Sequence, residues 1–200
     1  IIPQLSEVLA KRSCALLVAE PGAGKTTRVP LKLVDDPWLQ GQRIVMLEPR
    51  RLAARAAARR MAETLEQEVG HTVGYTVRLD RKITSATRIE VVTEGILTRR
   101  LQSDPELSGT GLVIFDEFHE RSLDGDLGLA LMLDVQRNLR EDLRILVMSA
   151  TLDAARVSAH LHGAPVIDAP GRVYPVDTRY LDKAQRQTVS QDAVRAIHRA

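Results

Sequence analysis

Residues 19–27 read AEPGAGKTT and overlap the end of the apolar run CALLVA at 14–19. Glycines at 22 and 24 allow successive backbone N–H groups to turn toward one point, where they can surround the oxygens of an anion. Lys25 and Thr26 follow the second glycine directly. A strand, a glycine-rich turn and a helix in this order place a phosphate group at a helix N-terminus. The stretch therefore predicts a phosphate-binding loop, with a plain glycine-rich turn as the structural alternative.

The loop fits the nucleotide-binding pattern G-x-x-x-x-G-K-S/T except at its first position, which is Ala19. In such a loop the lysine reaches the β- and γ-phosphates, and the hydroxyl of the next residue binds Mg²⁺. Lys25 and Thr26 are predicted to have these two roles. The predicted nucleotide-binding residues of the loop are Gly22, Ala23, Gly24, Lys25, Thr26 and Thr27.

Short apolar runs alternate with helix-like segments along most of the chain. The runs are apolar on both faces, as in strands of a parallel sheet that is covered on both sides. They are CALLVA (14–19), RIVMLE (43–48), RIEVVT (88–93), LVIFD (112–116) and RILVMSA (144–150), and the alternating HTVGYTVR (71–78) adds a strand. Helices are predicted at about 25–35, 51–67, 94–103, 125–139 and 153–162. The alternation predicts an α/β fold with a mostly parallel open sheet and helices on both faces.

The character of the sequence changes after residue 161. Residues 162–182 contain three prolines and two glycines, which predicts a terminal strand followed by an extended connector. Residues 186–200, RQTVSQDAVRAIHRA, predict a new amphipathic helix. We therefore expect residues 1–168 to form one domain and residues 169–200 to hold a connector and the start of a second, truncated domain.

Two acids stand where the apolar run LVIFD ends, in the stretch LVIFDEFHER at 112–121. Ligands of parallel α/β sheets bind beyond the carboxyl ends of the strands. Asp116 is therefore predicted to hold Mg²⁺, and Glu117 to orient and deprotonate the water that attacks the γ-phosphate. The alternative is that the two acids merely favour the N-terminus of a following helix.

Composition limits the class of protein. The formal net charge is +2, but 23 of the 28 basic residues are arginines, which contact phosphate in a bidentate manner; a biased genome would give the same excess. Aromatic residues are only 3% of the chain, so a stacking platform for nucleic-acid bases is not expected. No apolar run reaches the roughly 20 residues of a membrane span, and the N-terminus has no secretory signal. A single cysteine, Cys14, fits a cytoplasmic location.

Five motifs in order resemble those of the DEAH-type helicases of superfamily 2. DEFH (116–119) resembles the Asp-Glu-x-His box, AEPGAGKTT the first motif, and SAT (149–151) the third. EPRRLAARAAARRMA (48–62) is similar to the motif that begins Pro-Arg-Arg, and VVTEGILTRRL (91–101) to the Thr-x-Gly motif. PGAGKTTRVPL, DEFHERSLDGDL and GRVYPV look most like the bacterial HrpB branch of ATP-dependent helicases.

This resemblance implies a RecA-like P-loop NTPase domain that uses ATP and Mg²⁺ to move on single-stranded nucleic acid, with RNA favoured and DNA possible. It implies catalytic roles for Lys25, Asp116 and Glu117. It also implies that three residues couple the nucleotide to the nucleic-acid strand: His119, Ser149 and Thr151. Four residues would contact the strand: Arg50, Arg51, Thr93 and Gly95. Arg60 would stack on adenine, with Arg59 as its competitor for that role.

The family hydrolyses ATP between two RecA-like domains, and the second supplies arginine fingers. No stretch of this chain resembles the Gln-x-x-Gly-Arg-x-Gly-Arg motif of that second domain. We therefore expect the 200 residues alone to hydrolyse ATP hardly at all and to unwind no duplex.

Several alternatives remain open at the level of sequence. The arginines at 51, 55 and 59 recur every fourth residue and would also suit a solvated helix face. His119 would also suit a buried structural position, and residues 149–151 would also suit a helix cap. At the level of function, the alternatives are a DNA translocase of the same superfamily and a nucleotide-sensing scaffold that switches a partner.

Overall fold

A computed structural model describes residues 1–20, 22–150, 154–169, 176–178 and 189–198. Strands and helices alternate through this part of the chain. The strands are β1 (Cys14–Ala19), β2 (Arg43–Glu48), β3 (Val73–Val77), β4 (Asp80–Lys82), β5 (Ile89–Thr93), β6 (Thr110–Phe115), β7 (Arg144–Ser149) and β8 (Val166–Ala169). The helices are α1 (Ile2–Lys11), α2 (Lys25–Leu33), α3 (Arg51–Thr64), α4 (Glu94–Ser103), α5 (Leu123–Asn138), α6 (Ala154–His160) and α7 (Val189–Ile197).

All eight described strands belong to one sheet, in the order β4-β3-β5-β2-β6-β7-β1-β8. Every neighbouring pair is parallel except β3 and β4, which form an antiparallel hairpin at one edge. The predicted α/β fold with a mostly parallel sheet is confirmed.

Helices cover both faces of the sheet, so the central strands have no solvent-exposed face. On one face, buried residues of α1, α2 and α3 pack against the sheet, among them Leu5, Val29 and Ala58. On the other face, α4, α5 and α6 supply a second core that includes Leu97 and Met132. This double coverage explains why the strands are apolar at consecutive positions.

Most element bounds agree with the sequence analysis, and two elements were not predicted. Strands β1 and β2 occupy the predicted residues, whereas α3 ends at Thr64, three residues early. Helix α1 was missed, although Leu5 and Leu9 are fully buried at helical spacing. Strand β4 was missed because Asp-Arg-Lys is charged, as suits an edge strand.

The division at residue 169 remains a prediction. Strand β8 pairs with β1 and supplies the predicted terminal strand, and α7 confirms the amphipathic helix predicted within 186–200. The predicted connector lies largely outside the described residues, as do Thr151 and nearly all of GRVYPV. In the part of the chain that the structure describes, no helix is long and apolar enough to span a bilayer.

The carboxyl ends of β1, β2, β3, β5, β6 and β7 lie at one edge of the sheet, because these strands are parallel. The segments that follow them are the glycine-rich loop, Pro-Arg-Arg, the β3–β4 turn, Thr-Glu-Gly, Asp-Glu-Phe-His and Ser-Ala. We call this side the carboxyl edge. The topology thus places all five motifs on one side of the sheet.

Candidate nucleotide and nucleic-acid site

The glycine-rich loop adopts conformations that require its glycines. Gly22 and Gly24 have φ angles of 81° and 77°, in the left-handed region that side chains disfavour. A Cβ atom on Gly24 would also lie 2.9 Å from Cδ of Arg28. Gly24 is the N-cap of α2, whose first residue is Lys25. The loop therefore leads directly into a helix N-terminus, as an anion-binding loop should.

Lys25 is buried at the carboxyl edge and pairs with Glu117. Its side chain is only 4% exposed, and its Nζ atom lies 2.8 Å from Oε1 of Glu117. A buried lysine needs a partner for its charge, and here the partner is the predicted catalytic base. The first and second motifs are therefore in direct contact, although 92 residues separate them in the sequence.

Asp116 has an unused buried oxygen. Its Oδ1 atom accepts a hydrogen bond of 2.8 Å from the backbone N–H of Glu117. Its Oδ2 atom is buried and has no hydrogen-bond partner among the described residues. Burial raises the pKa of the Asp116 carboxyl, and the Thr26 side chain and the Glu117 N–H oppose that shift. An unsatisfied carboxylate oxygen beside Thr26 fits a Mg²⁺ ion, either directly or through water.

The residues near Asp116 could supply a few ligands to Mg²⁺, but they do not surround a metal ion with protein ligands. Within the described ranges, no group of three or more His, Cys, Asp or Glu residues is arranged to hold a metal ion. A Mg²⁺ ion near Asp116 and Thr26 would therefore take most of its ligands from water and nucleotide phosphates, as this ion usually does.

Glu48 is a further member of the site that the sequence analysis missed. It is 2% exposed and ends β2, next to Asp116, because Leu47 is in register with Phe115. Burial and the negative charges of Asp116 and Glu117 raise the pKa of Glu48 to about 9. The buried cluster of acids therefore favours the protonated form of Glu48. The available signal was its position, since Glu48 ends an apolar strand just as Asp116 follows one.

Glu117 lies in a strained backbone conformation and is close to His119. Its φ angle is 50°, which costs a non-glycine residue about 1–3 kcal/mol and is common at functional sites. Its Oε2 atom lies 3.3 Å from Nδ1 of His119. The same Nδ1 atom lies 3.4 Å from the backbone N of Ala150, beside buried Ser149, and it accepts a hydrogen bond from that N–H only in the form that has no proton to donate to Glu117. His119 is about one-quarter exposed, so it does not fill the core, and its ring lies between the second motif at Glu117 and the third at Ala150.

A cavity of about 430 Å³ opens beside the glycine-rich loop. Thr26 and Thr27 line one side of it, and Glu48 and Glu117 also contribute. Arg60 lines the cavity from α3, whereas the competing Arg59 does not. This placement supports Arg60 as the arginine beside a nucleotide base.

Arg50 and Arg51 occupy different surroundings. Arg50 lines the nucleotide cavity, and its Nη2 atom lies 3.0 Å from Oε2 of Glu120. Arg51 begins α3 and is exposed. Arg50 is also exposed, with 72% of its side-chain surface accessible, so both arginines are accessible to a nucleic-acid strand.

The Thr-Glu-Gly motif is joined to the acidic motif. Thr93 precedes α4 and is half-buried, and Gly95 is exposed with open space around its Cα atom. Between them, Glu94 accepts a hydrogen bond of 2.6 Å from the Ser122 hydroxyl, which also caps α5 at Gly125. This contact connects the segment that carries Glu117 to the predicted strand-binding segment, and sequence spacing gave no sign of it.

Arg55 contacts the β3–β4 hairpin, whereas a residue on a solvated helix face would contact only water. Its Nη2 atom lies 2.6 Å from Oδ2 of Asp80, and its guanidinium lies 5.9 Å from the ring centre of Tyr75. The Tyr75 hydroxyl donates a hydrogen bond of 2.9 Å to the same Asp80 oxygen. Arg55 therefore joins α3 to the β3–β4 hairpin.

Comparison with known proteins agrees with this arrangement of motifs. The family model described as DEAD/DEAH box helicase matches residues 2–159. The chain belongs to the DEAD/DEAH box helicase family. It is 56% identical, over 88% of its length, to the ATP-dependent RNA helicase HrpB of Escherichia coli (strain K12). It is 36% identical, over the same share, to an ATP-dependent RNA helicase HrpA homolog of Haemophilus influenzae.

Two solved structures resemble this helicase domain. One is the crystal structure of the Escherichia coli DEAH/RHA helicase HrpB, with a TM-score of 0.87, 50% identity and 99% of this chain covered. The other, the E. coli DExH-box NTPase HrpB, gives a TM-score of 0.82, with 50% identity and the whole chain covered. The chain spans 22% and 14% of the two curated relatives, and 25% and 24% of the two solved chains. The predicted RecA-like helicase domain is confirmed.

Proposed function

We propose that the complete protein is an ATP-dependent helicase that moves on single-stranded nucleic acid, with RNA as the favoured substrate. The observation that carries this proposal is the convergence of all five motifs at the carboxyl edge, with Lys25 in contact with Glu117. The similarity to proteins named as RNA helicases supports RNA. DNA remains the second candidate, because a protein that grips the backbone reads little of the base sequence.

The nucleotide would displace an existing ion pair. In the structure described here, Lys25 and Glu117 neutralise each other at 2.8 Å. Triphosphate oxygens in the glycine-rich loop would offer Lys25 a stronger partner. Glu117 would then be released to face the γ-phosphate. Binding of ATP is thus proposed to free Glu117 to act as the base at the same time as the triphosphate occupies the glycine-rich loop.

Glu117 is proposed to accept a proton from the attacking water. The water oxygen forms a bond to the γ-phosphorus, the bond to the β–γ bridging oxygen breaks, and ADP leaves with that electron pair. Asp116 and Thr26 are proposed to hold Mg²⁺, which would neutralise charge on the β- and γ-phosphate oxygens. A protonated Glu48 would limit the negative charge beside Asp116.

The part of the site that contacts nucleic acid is proposed to respond to the bound nucleotide through two sets of side-chain contacts. His119 connects Glu117 to the backbone at Ala150, and Ser122 connects the acidic segment to Glu94. Arg50, Arg51, Thr93 and Gly95 would contact the sugar-phosphate backbone. A second RecA-like domain elsewhere in the complete protein is expected to close over the nucleotide and supply arginines to the transferring phosphoryl group.

ATP turnover by the complete protein tests this proposal. Single-stranded RNA and DNA of matched sequence should each be compared with no nucleic acid. We expect RNA to increase turnover severalfold, because a bound strand would act on the segment that carries Glu117 through the contacts of His119 and Ser122. DNA should increase turnover less, because RNA is the favoured substrate. Equal stimulation by DNA would favour a general single-strand translocase. Tight ATP binding with no stimulation by either strand would contradict the motor and favour the nucleotide-sensing scaffold.

A further inference from the structure

Arg50 and Glu120 form an ion pair between two segments that line the nucleotide cavity. The Nη2 atom of Arg50 lies 3.0 Å from Oε2 of Glu120, and both residues line the cavity. Arg50 belongs to the Pro-Arg-Arg segment after β2, and Glu120 follows the acidic motif. None of the roles assigned to the acidic motif, which are Mg²⁺ binding, proton transfer and coupling through His119, requires Glu120.

The ion pair adds little to the stability of the fold. Arg50 exposes 72% of its side chain and Glu120 exposes 36%. Water solvates exposed charges of this kind almost as well when they are apart, so the paired arrangement is favoured over the separated one by only about 1.4- to 5-fold. The pair can therefore open and re-form without disturbing the sheet, and its main consequence is to occupy the Arg50 guanidinium.

The partner of Arg50 resembles the ligand that Arg50 is proposed to bind. A guanidinium group forms the same charge-assisted hydrogen bonds with a carboxylate and with a phosphate. Glu120 therefore holds the place that a phosphate of the nucleic-acid strand would take on Arg50. Arg51, the next residue, has no ion pair within the described ranges and so has no such competitor there. The two neighbouring arginines thus differ in whether a strand phosphate must first displace a partner.

The segment that carries Glu120 is anchored, so its carboxylate is presented at a set position. Glu120 ends the short helical turn Phe118–Glu120, and its backbone N–H donates a hydrogen bond of 2.9 Å to the carbonyl of Glu117. The next residue, Arg121, has a φ angle of 44° and is held by Asp126 at 2.7 Å. A strained non-glycine residue of this kind persists only where its surroundings fix it. Opening of the ion pair would therefore move the Arg50 side chain and leave Glu120 in place.

We propose that Glu120 is an internal competitor for Arg50 that weakens the grip on single-stranded nucleic acid. A strand phosphate binds Arg50 only in molecules whose ion pair is open, which lowers the apparent affinity for the strand. When the phosphate leaves, Glu120 pairs with Arg50 again. A protein that moves along a strand has to release each phosphate that it contacts, and Glu120 assists that release. The inference rests on the proposed strand-binding function and deepens it, because it makes Glu120 a residue that sets how tightly the strand is held.

Equilibrium binding to the complete protein tests this role. Labelled single-stranded RNA is titrated without nucleotide and at one fixed salt concentration, because strand affinity depends steeply on salt. Wild type is compared with Glu120→Gln, with Arg50→Ala and with the double variant Arg50→Ala/Glu120→Gln, which together form a double-mutant cycle. Glu7→Gln is the matched control, because Glu7 is also the acid of an exposed ion pair, with Lys11 at 2.6 Å, and lies on α1, before the amino end of β1.

We expect Glu120→Gln to bind the RNA about 2- to 6-fold more tightly than wild type, because an ion pair favoured about 1.4- to 5-fold leaves only the remaining fraction of molecules competent to bind. Glu7→Gln should match wild type. In the Arg50→Ala background, Glu120→Gln should leave the affinity unchanged, because the residue under competition is gone. An unchanged or lower affinity of Glu120→Gln, or a gain that persists without Arg50, would overturn the inference alone. Failure of wild type to bind the RNA would overturn the proposed function as well.

Discussion

Replacing Glu117 by glutamine is expected to lower the kcat of strand-stimulated ATP hydrolysis by about 10²–10⁴-fold, the usual contribution of a general base. Glutamine keeps the size of the side chain but cannot accept the proton of the attacking water. The affinity for ATP should not fall. In the structure, Glu117 competes with the triphosphate for Lys25, so removing its charge leaves Lys25 free for the phosphates. The measurement is steady-state turnover together with equilibrium nucleotide binding.

A lower kcat together with an undiminished affinity for ATP separates an effect on catalysis from an effect on folding. A variant that only damaged the fold would lose nucleotide affinity along with turnover. Glu141→Gln is a suitable control, because Glu141 is an exposed acid in the turn before β7, at the amino end of the strands. A Glu117→Gln protein that kept more than about a tenth of wild-type kcat would show that Glu117 is not the base.

Replacing Arg100 by methionine is expected to destabilise the region around β5 and α4 by about 3 kcal/mol. Glu90 is 2% exposed, and Nη2 of Arg100 lies 2.7 Å from its Oε1 atom. Removing one partner of such a pair leaves an uncompensated buried charge. Native-state hydrogen exchange of the β5 amides in the complete protein would measure this loss as a lower free energy of local opening.

The effect should depend on pH in a defined direction. Burial favours a higher pKa for Glu90, but Arg100 and the Thr76 hydroxyl outweigh it and hold the pKa below the usual 4.5. In wild type, the stabilisation is therefore present above pH 4.5 and is lost as the pH falls through the lower folded pKa. Without Arg100, burial raises the pKa of Glu90, so the difference from wild type should be larger at neutral pH than near pH 4.5.

Arg99→Met is the matched control for Arg100→Met. Arg99 is the preceding residue of the same helix, is exposed and has no ion-pair partner in the described part of the chain. Its replacement should change the local stability by less than about 0.5 kcal/mol. Equal losses for the two variants would show that the Glu90–Arg100 pair does not stabilise this region.

The sequence predicts the central strands well because each of them is an apolar run that can be recognised without knowing its neighbours in the sheet. The apolar runs that became β1 and β2 are bounded by turn residues and match the structure at both ends. Helix α4 was predicted with its observed bounds, Glu94–Ser103. Strand β4 gives no such signal, since three charged residues become a strand only by pairing with β3. Edge elements of this kind depend on the partner and not on their own composition.

The motifs indicated which segments would lie together, but the contacts between the motifs could not be predicted. Spacing along the chain indicated that Lys25 and Glu117 would share a site, yet the ion pair between them depends on the sheet order, with β7 between β1 and β6. The same holds for Ser122 and Glu94, which lie 28 residues apart in sequence and are joined across the carboxyl edge. Long-range pairings of polar side chains leave no periodic pattern for a sequence to reveal.

The central claim is that nucleotide binding and RNA binding are coupled across the carboxyl edge. The most direct test is whether the affinity for single-stranded RNA depends on the bound nucleotide. The complete protein should be titrated with single-stranded RNA in the presence of Mg²⁺ and either a non-hydrolysable ATP analogue or ADP. If His119 and Ser122 link the two halves of the carboxyl edge, the two affinities should differ by about 5- to 150-fold, the range of typical coupling free energies. His119→Ala should reduce that difference. Equal RNA affinities in both nucleotide states, with both ligands bound, would contradict coupling through this edge.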